Sequence, residues 1–168
     1  MKSILTYLSV ILFFPLFSQA IDFDKHPWFS RVVGEWNGEG EMTTAQGEVS
    51  KLTEKWEGKV DDGGSFSVKG TREWNNETFE FRWVYHYNPT TELFEVDYWQ
   101  TGMEDEDLKF EASVTDDQVQ MKAAFGDSGG ELKVVNIFVD GNIEGKVEIL
   151  DSQGQVQLSG EVIHSKSE

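Results

Sequence analysis

From Gly34 to the end of the chain, apolar and polar side chains alternate with a period of two. Clusters of Gly, Asn and Asp cut this alternation at intervals of roughly a dozen residues. A period of two belongs to extended strands that bury one face. The pattern predicts ten of them: Gly34–Thr43, Glu48–Val60, Ser65–Trp74, Glu77–Tyr87, Leu93–Thr101, Leu108–Val114, Val119–Phe125, Glu131–Val139, Ile143–Leu150 and Gln155–His164. The breaks between them are hairpin-length, Asp61-Asp62-Gly63-Gly64 being the strongest turn signal. Such spacing predicts an all-β, antiparallel, up-and-down meander, and closing it into a barrel would remove its two exposed edges.

Only one stretch ahead of the strands reads as helix or turn. Ile21–Val33 carries Pro27, suited to a first helical position, and sets Trp28, Phe29, Val32 and Val33 toward one side. It is short, and we read it as a plug at one barrel end. Immediately after it, Gly34-Glu35-Trp36 opens the first strand. Trp36 would close the barrel floor, and Gly34, Gly38 and Gly40 would let that strand bend.

The first twenty residues do not belong to the barrel pattern. Lys2 is followed by an apolar run from Ile4 to Phe17 and then by Ser18-Gln19-Ala20. This is the layout of a signal peptide, residues 1–20, ahead of a single domain at 21–168. The chain has no Cys, so neither a disulfide nor a lipid-anchored cysteine is available. An exported domain without disulfides suggests a bacterial source and a periplasmic or secreted product. No later segment is expected to enter a membrane.

Charge excludes further partners. There are 31 Asp+Glu against 14 Lys+Arg, a formal net charge of −17. Phosphate backbones need neutralising cations, so nucleic acid is not expected.

The chemistry-bearing residues are sparse. The three His stand apart at His26, His86 and His164, with no zinc-type spacing and no nucleophile motif. No metal site is expected, and the acidic run Met103-Glu104-Asp105-Glu106-Asp107 reads as a solvated loop. Aromatics make up 13% of the chain, with six Trp, enough to line a cavity as well as fill a core. The fourth strand is the best site candidate. Phe79, Phe81, Trp83, Tyr85 and Tyr87 share one face, and Thr78, Glu80, Arg82, Val84 and His86 the other. In the preferred register the aromatics point inward and Arg82 and His86 meet water. In the other, Arg82 and His86 enter a cavity beside Asp97 and Trp99 of the next strand, where an Arg would recognise a carboxylate or phosphate. The candidate ligand-binding set over both registers is Trp36, Arg82, Trp83, Tyr85, His86, Asp97 and Trp99.

Several of these stretches resemble a known family. His26-Pro27-Trp28-Phe29, Val32-Val33-Gly34-Glu35-Trp36, and Trp83-Val84-Tyr85-His86-Tyr87-Asn88-Pro89 leading into Phe94-Glu95-Val96-Asp97-Tyr98-Trp99 resemble DUF1579, bacterial proteins of unknown function. His86-Tyr87-Asn88 stands where that family has Gly-Tyr-Asp. The resemblance implies a lipocalin-like (calycin) barrel and brings no catalytic residues. The first strand, Gly34-Glu35-Trp36-Asn37-Gly38-Glu39-Gly40, is also similar to that of nitrobindin-type barrels. That likeness implies haem held by a His near the C-terminus, here His164, on the same face as Val156, Leu158, Gly160 and Val162. The expectation is therefore a lipocalin-like barrel that takes a small hydrophobic or amphipathic molecule without a cofactor. The alternatives are a haem protein using His164, a barrel enzyme using Arg82, His86 and Asp97 for acid–base chemistry, and a filled barrel with a structural or inhibitory role.

Overall fold

Ten antiparallel strands close on themselves in the order β1-β10-β9-β8-β7-β6-β5-β4-β3-β2, so every strand pairs with its sequence neighbours and β1 closes on β10. The computed structural model describes residues 21–103, 107–126 and 129–167. The predicted signal peptide, the centre of the acidic loop at 104–106 and two turn residues at 127–128 lie outside the described residues. The strands are β1 (Gly34–Thr44), β2 (Val49–Asp61), β3 (Ser65–Trp74), β4 (Glu77–Asn88), β5 (Leu93–Gln100), β6 (Leu108–Val114), β7 (Gln118–Phe125), β8 (Gly130–Val139), β9 (Asn142–Leu150) and β10 (Val156–Lys166). The all-β antiparallel barrel expected from the alternation is thus the fold, and the predicted strand ends lie within two residues of these.

The single helix among the described residues, α1 (Pro27–Val32), is shorter than the predicted Ile21–Val33 element. His26 caps it: its Nδ1 accepts the Trp28 amide at 3.2 Å, and Pro27 fills the first helical position where no N–H is needed. Trp28, Phe29 and Val32 are buried, whereas Val33 turns outward as the chain leaves the helix, because its backbone is already extended there.

α1 sits across one end of the barrel. Phe29 is fully buried, with its ring 4.9 Å from that of Phe66, 5.5 Å from Tyr85 and 5.3 Å from Phe94. Phe23 joins the same cluster, 4.8 Å from Phe29. The indole of Trp36 donates to the Val32 carbonyl at 3.0 Å, tying the first strand to the end of the helix. Trp36 is stacked on Trp56 at 5.4 Å, which bears out its expected place in the floor. A glycine makes this seat possible: a Cβ on Gly58 of β2 would collide with the Val32 carbonyl.

The apolar faces of the strands point inward. In β2, Leu52, Glu54 and Trp56 are buried while Lys51, Thr53 and Lys55 are exposed. β10 departs from its expected face at the start. A register shift between Val156 and Leu158 leaves Val156 exposed, and only from Leu158 onward does the alternation reach Gly160, Val162 and His164.

Candidate functional site

The barrel is not solid. It holds a partly open cavity of about 590 Å³, within the range usual for small-molecule sites. Its wall is mostly apolar, including Trp74, Phe79, Phe81, Trp83, Tyr85 and Met121. α1 closes the floor, and Met42, Trp74, Phe125 and Leu158, at the opposite strand ends, line the other end.

One side of this wall is polar, and strand register builds it. His164 of β10 pairs with Gly38 of β1, Gly38 with Glu54 of β2, and Glu54 with Arg72 of β3. All four share the inward face. Gly38 has no side chain, so the imidazole of His164 crosses over β1 to reach β2. A Cβ at Gly38 would lie 2.5 Å from His164 Nδ1. Across this gap Trp56 Nε1 donates to His164 Nδ1 at 3.0 Å, and Glu54 Oε2 lies 3.7 Å from the same nitrogen.

Glu54 is 7% exposed, and its charge is met by Arg72, whose Nε donates to Glu54 Oε1 at 2.5 Å. Arg72 also donates through Nη1 to the Tyr98 hydroxyl at 3.4 Å, and its guanidinium lies 5.1 Å from the Phe81 ring centre. The Tyr98 hydroxyl in turn donates to Gln100 Oε1. The result is a hydrogen-bonded band running from Gln100 through Tyr98 and Arg72 to Glu54, with the Trp56–His164 pair beside it.

Burial sets the protonation of this band. It opposes the charge on Arg72, but the Glu54 carboxylate and the Tyr98 hydroxyl more than offset it and hold the guanidinium above its usual value. Burial raises Tyr98, against a lowering by Arg72, and raises Tyr85 strongly. Burial likewise lowers His164, and Arg72 adds to that while Glu54 opposes it. His164 is neutral at pH 7, and with Nδ1 accepting from Trp56 the ring proton sits on Nε2.

This tautomer bears on the haem alternative. The side chain does line the cavity. An iron ligand must offer a nitrogen free of its proton, so Nε2 would serve only with the ring proton moved to Nδ1, where it gives up the Trp56 hydrogen bond and faces Glu54 Oε2 at 3.7 Å.

The other candidates separate by face. Trp83 and Tyr85 line the cavity. Trp83 lies 4.2 Å from the Tyr98 ring, and the Tyr85 hydroxyl faces Met121 Sδ at 3.6 Å. Trp36 is buried beneath the cavity rather than lining it. Arg82, His86, Asp97 and Trp99 alternate with the inward residues of β4 and β5 and therefore lie on the outer face, away from the cavity. There Arg82 pairs with Asp107 at 3.0 Å, and Asp97 takes Lys109 at 2.7 Å with His86 3.6 Å away. With all three outside, an acid–base set of Arg82, His86 and Asp97 has no enclosed site to work in. The preferred register of strand four holds.

The band residues Glu54, Arg72, Tyr98 and Gln100 were not among the candidates. The signal lay in parity: Arg72 shares that of Phe66, Val68 and Trp74, and Glu54 that of Leu52 and Trp56.

No protein-family model and no curated protein matches the sequence. Solved structures do match the fold. The chain is similar to the S-type phycobiliprotein lyase CPES of Guillardia theta, at 11% identity and a TM-score of 0.56, over 84% of this chain and 91% of that one. It is similar to Rv2717c of M. tuberculosis at 9% identity and a TM-score of 0.63, over 89% of this chain and all of that one. A protein of unknown function from the DUF3598 family of Nostoc punctiforme matches at 9% identity and a TM-score of 0.54, over 83% of this chain and 49% of that one. At such identities the likeness is one of fold alone, and membership of DUF1579 is not shown.

Proposed function

We propose that this protein binds one small hydrophobic or amphipathic molecule inside its barrel. The observation that carries the reading is the cavity itself. An ordinary core packs without voids much larger than a water molecule, whereas about 590 Å³ of space, open in part to solvent, lies here between aromatic walls. An apolar ligand would remove both its own surface and that of the wall from water. A chain of about twelve methylenes, at about 0.8 kcal/mol each, gains roughly 10 kcal/mol. An association cost of at least about 4 kcal/mol leaves a dissociation constant on the order of tens of micromolar. The polar band then gives orientation rather than bulk affinity. In this reading residues 1–20 direct export, and the ligand is met in the periplasm or beyond. The bilin-protein lyase among the structural neighbours is compatible with a barrel of this shape holding a small molecule.

The test is a titration with the neutral fluorophore N-phenyl-1-naphthylamine. Saturable one-to-one enhancement is expected, and Val134→Trp, which projects an indole into the cavity, should abolish it. Enhancement that never saturates, or that survives the filling, contradicts the reading.

A further inference from the structure

The polar band has an electrical and hydrogen-bonding balance that specifies the ligand's head group. Its formal charges cancel: Glu54 carries one negative charge and Arg72 one positive, in direct contact at 2.5 Å. Its hydrogen bonds do not use every group. Glu54 Oε1 accepts from Arg72 Nε, Arg72 Nη1 donates to Tyr98, and Gln100 Oε1 accepts from Tyr98. Among the described residues, none donates to Glu54 Oε2, and Arg72 Nη2 and Gln100 Nε2 donate to none. His164 Nδ1 lies 3.7 Å from Glu54 Oε2 and is itself an acceptor. The polar band therefore offers a strong acceptor and a charge-assisted donor side by side, with no net charge of its own.

We propose that the bound molecule has an uncharged head carrying both a donor and an acceptor, an alcohol or a primary amide, placed with its O–H or N–H on Glu54 Oε2 and its oxygen toward Arg72 Nη2. This rests on the reading that the cavity binds a ligand. A carboxylate head would bring a second anion beside Glu54 in a poorly solvated site where the adjoining cation, Arg72, is already paired, and its oxygens could give Oε2 nothing. An ammonium head would meet Glu54 but stand beside the Arg72 charge. An alcohol or amide satisfies both unused partners and leaves the balance intact.

The experiment displaces N-phenyl-1-naphthylamine with decan-1-ol, decanamide, decanoate and decylamine at pH 7.5, so that the chain is constant and only the head varies. The alcohol and the amide should displace the probe at least tenfold more effectively than either ion. Ions are also harder to desolvate in any pocket, so the decisive readout is the switch. Glu54→Gln leaves Arg72 without its counter-charge, and decanoate should gain tenfold or more over its wild-type value. Arg72→Gln serves as the mirror variant should Glu54→Gln fail to fold, and there decylamine should gain. Decanoate matching decanol in the wild type, or a head-group ranking unchanged in the folded variant, overturns the proposal while leaving cavity binding intact. Failure of the naphthylamine to bind at all overturns both.

Discussion

Trp56 and His164 are hydrogen-bonded to each other across a strand that lies between them. The indole of β2 reaches the imidazole of β10 at 3.0 Å because the intervening β1 carries Gly38 at that level. The contact is a property of three strands, and it makes a demand on Gly38 that follows from space alone. Gly38→Ala would place a methyl 2.5 Å from Nδ1, with Val162 at 3.1 Å closing the other side. Overpacking of this kind costs about 1–3 kcal/mol. A loss in that range is expected in denaturant unfolding, and the second change His164→Ala should recover part of it. Equal losses in the single and double variants would mean that the methyl is felt elsewhere.

Two histidines accept hydrogen bonds that an imidazolium cannot accept: His164 from Trp56, and His26 from the amide that starts α1. Burial holds both below the ordinary histidine value of 6.5. The unfolded chain therefore takes up protons at a higher pH than the folded one. Stability should be full above about pH 6.5 and fall as the pH drops through the folded-state values. Thermal unfolding from pH 8 to pH 5 checks this, and His164→Gln should flatten the slope. Stability that rises on acidification through this window would contradict the assignment.

The Glu54–Arg72 pair is held in a wall where removing one partner strands the other. Glu54→Met or Arg72→Met alone should cost about 3–5 kcal/mol, and the double Met variant clearly less than the sum of the two. A thermodynamic cycle on these three variants measures the coupling. Additive losses would show that water already screens the pair.

Phe29 joins α1 to the barrel floor through three aromatic contacts. Phe29→Ala should destabilise by about 3–5 kcal/mol, measured by chemical unfolding. A loss below about 1 kcal/mol would mean that the helix is not an integral plug.

The outer face of β4 and β5 should be silent in binding. Arg82→Ala and His86→Ala are expected to leave fluorophore affinity unchanged and, as half-exposed ion pairs, to alter stability by no more than about 1 kcal/mol. Loss of fluorophore binding in either variant would place them in the site after all.

Most of the fold was legible because it rests on local signals. Period-two alternation and Gly, Asn and Asp turns fix strands wherever one face is buried, so β3 and β6 were read to the residue. Pro27 likewise marked the start of α1. The site was harder, because the residues that build it are brought together by register and not by spacing. Glu54, Arg72 and His164 are far apart in sequence and meet only because a closed barrel puts β10, β1, β2 and β3 side by side. Arg82 and His86 drew attention as charged neighbours of aromatics, yet strand parity sets them outside. Parity sets Arg72 inside, yet a cation inside a barrel is intelligible only once its partner Glu54 is seen beside it. Val156 was misplaced for a related reason, since the irregular start of β10 breaks the parity on which the reading depends.

The central claim is that the barrel carries a molecule. Native mass spectrometry of the protein purified from the cells that make it tests this most directly. The account predicts one additional mass per chain, small and reproducible, that disappears on solvent extraction and is absent from Val134→Trp. A wild-type chain of bare mass that also stays bare after incubation with decanol and decanamide would contradict it.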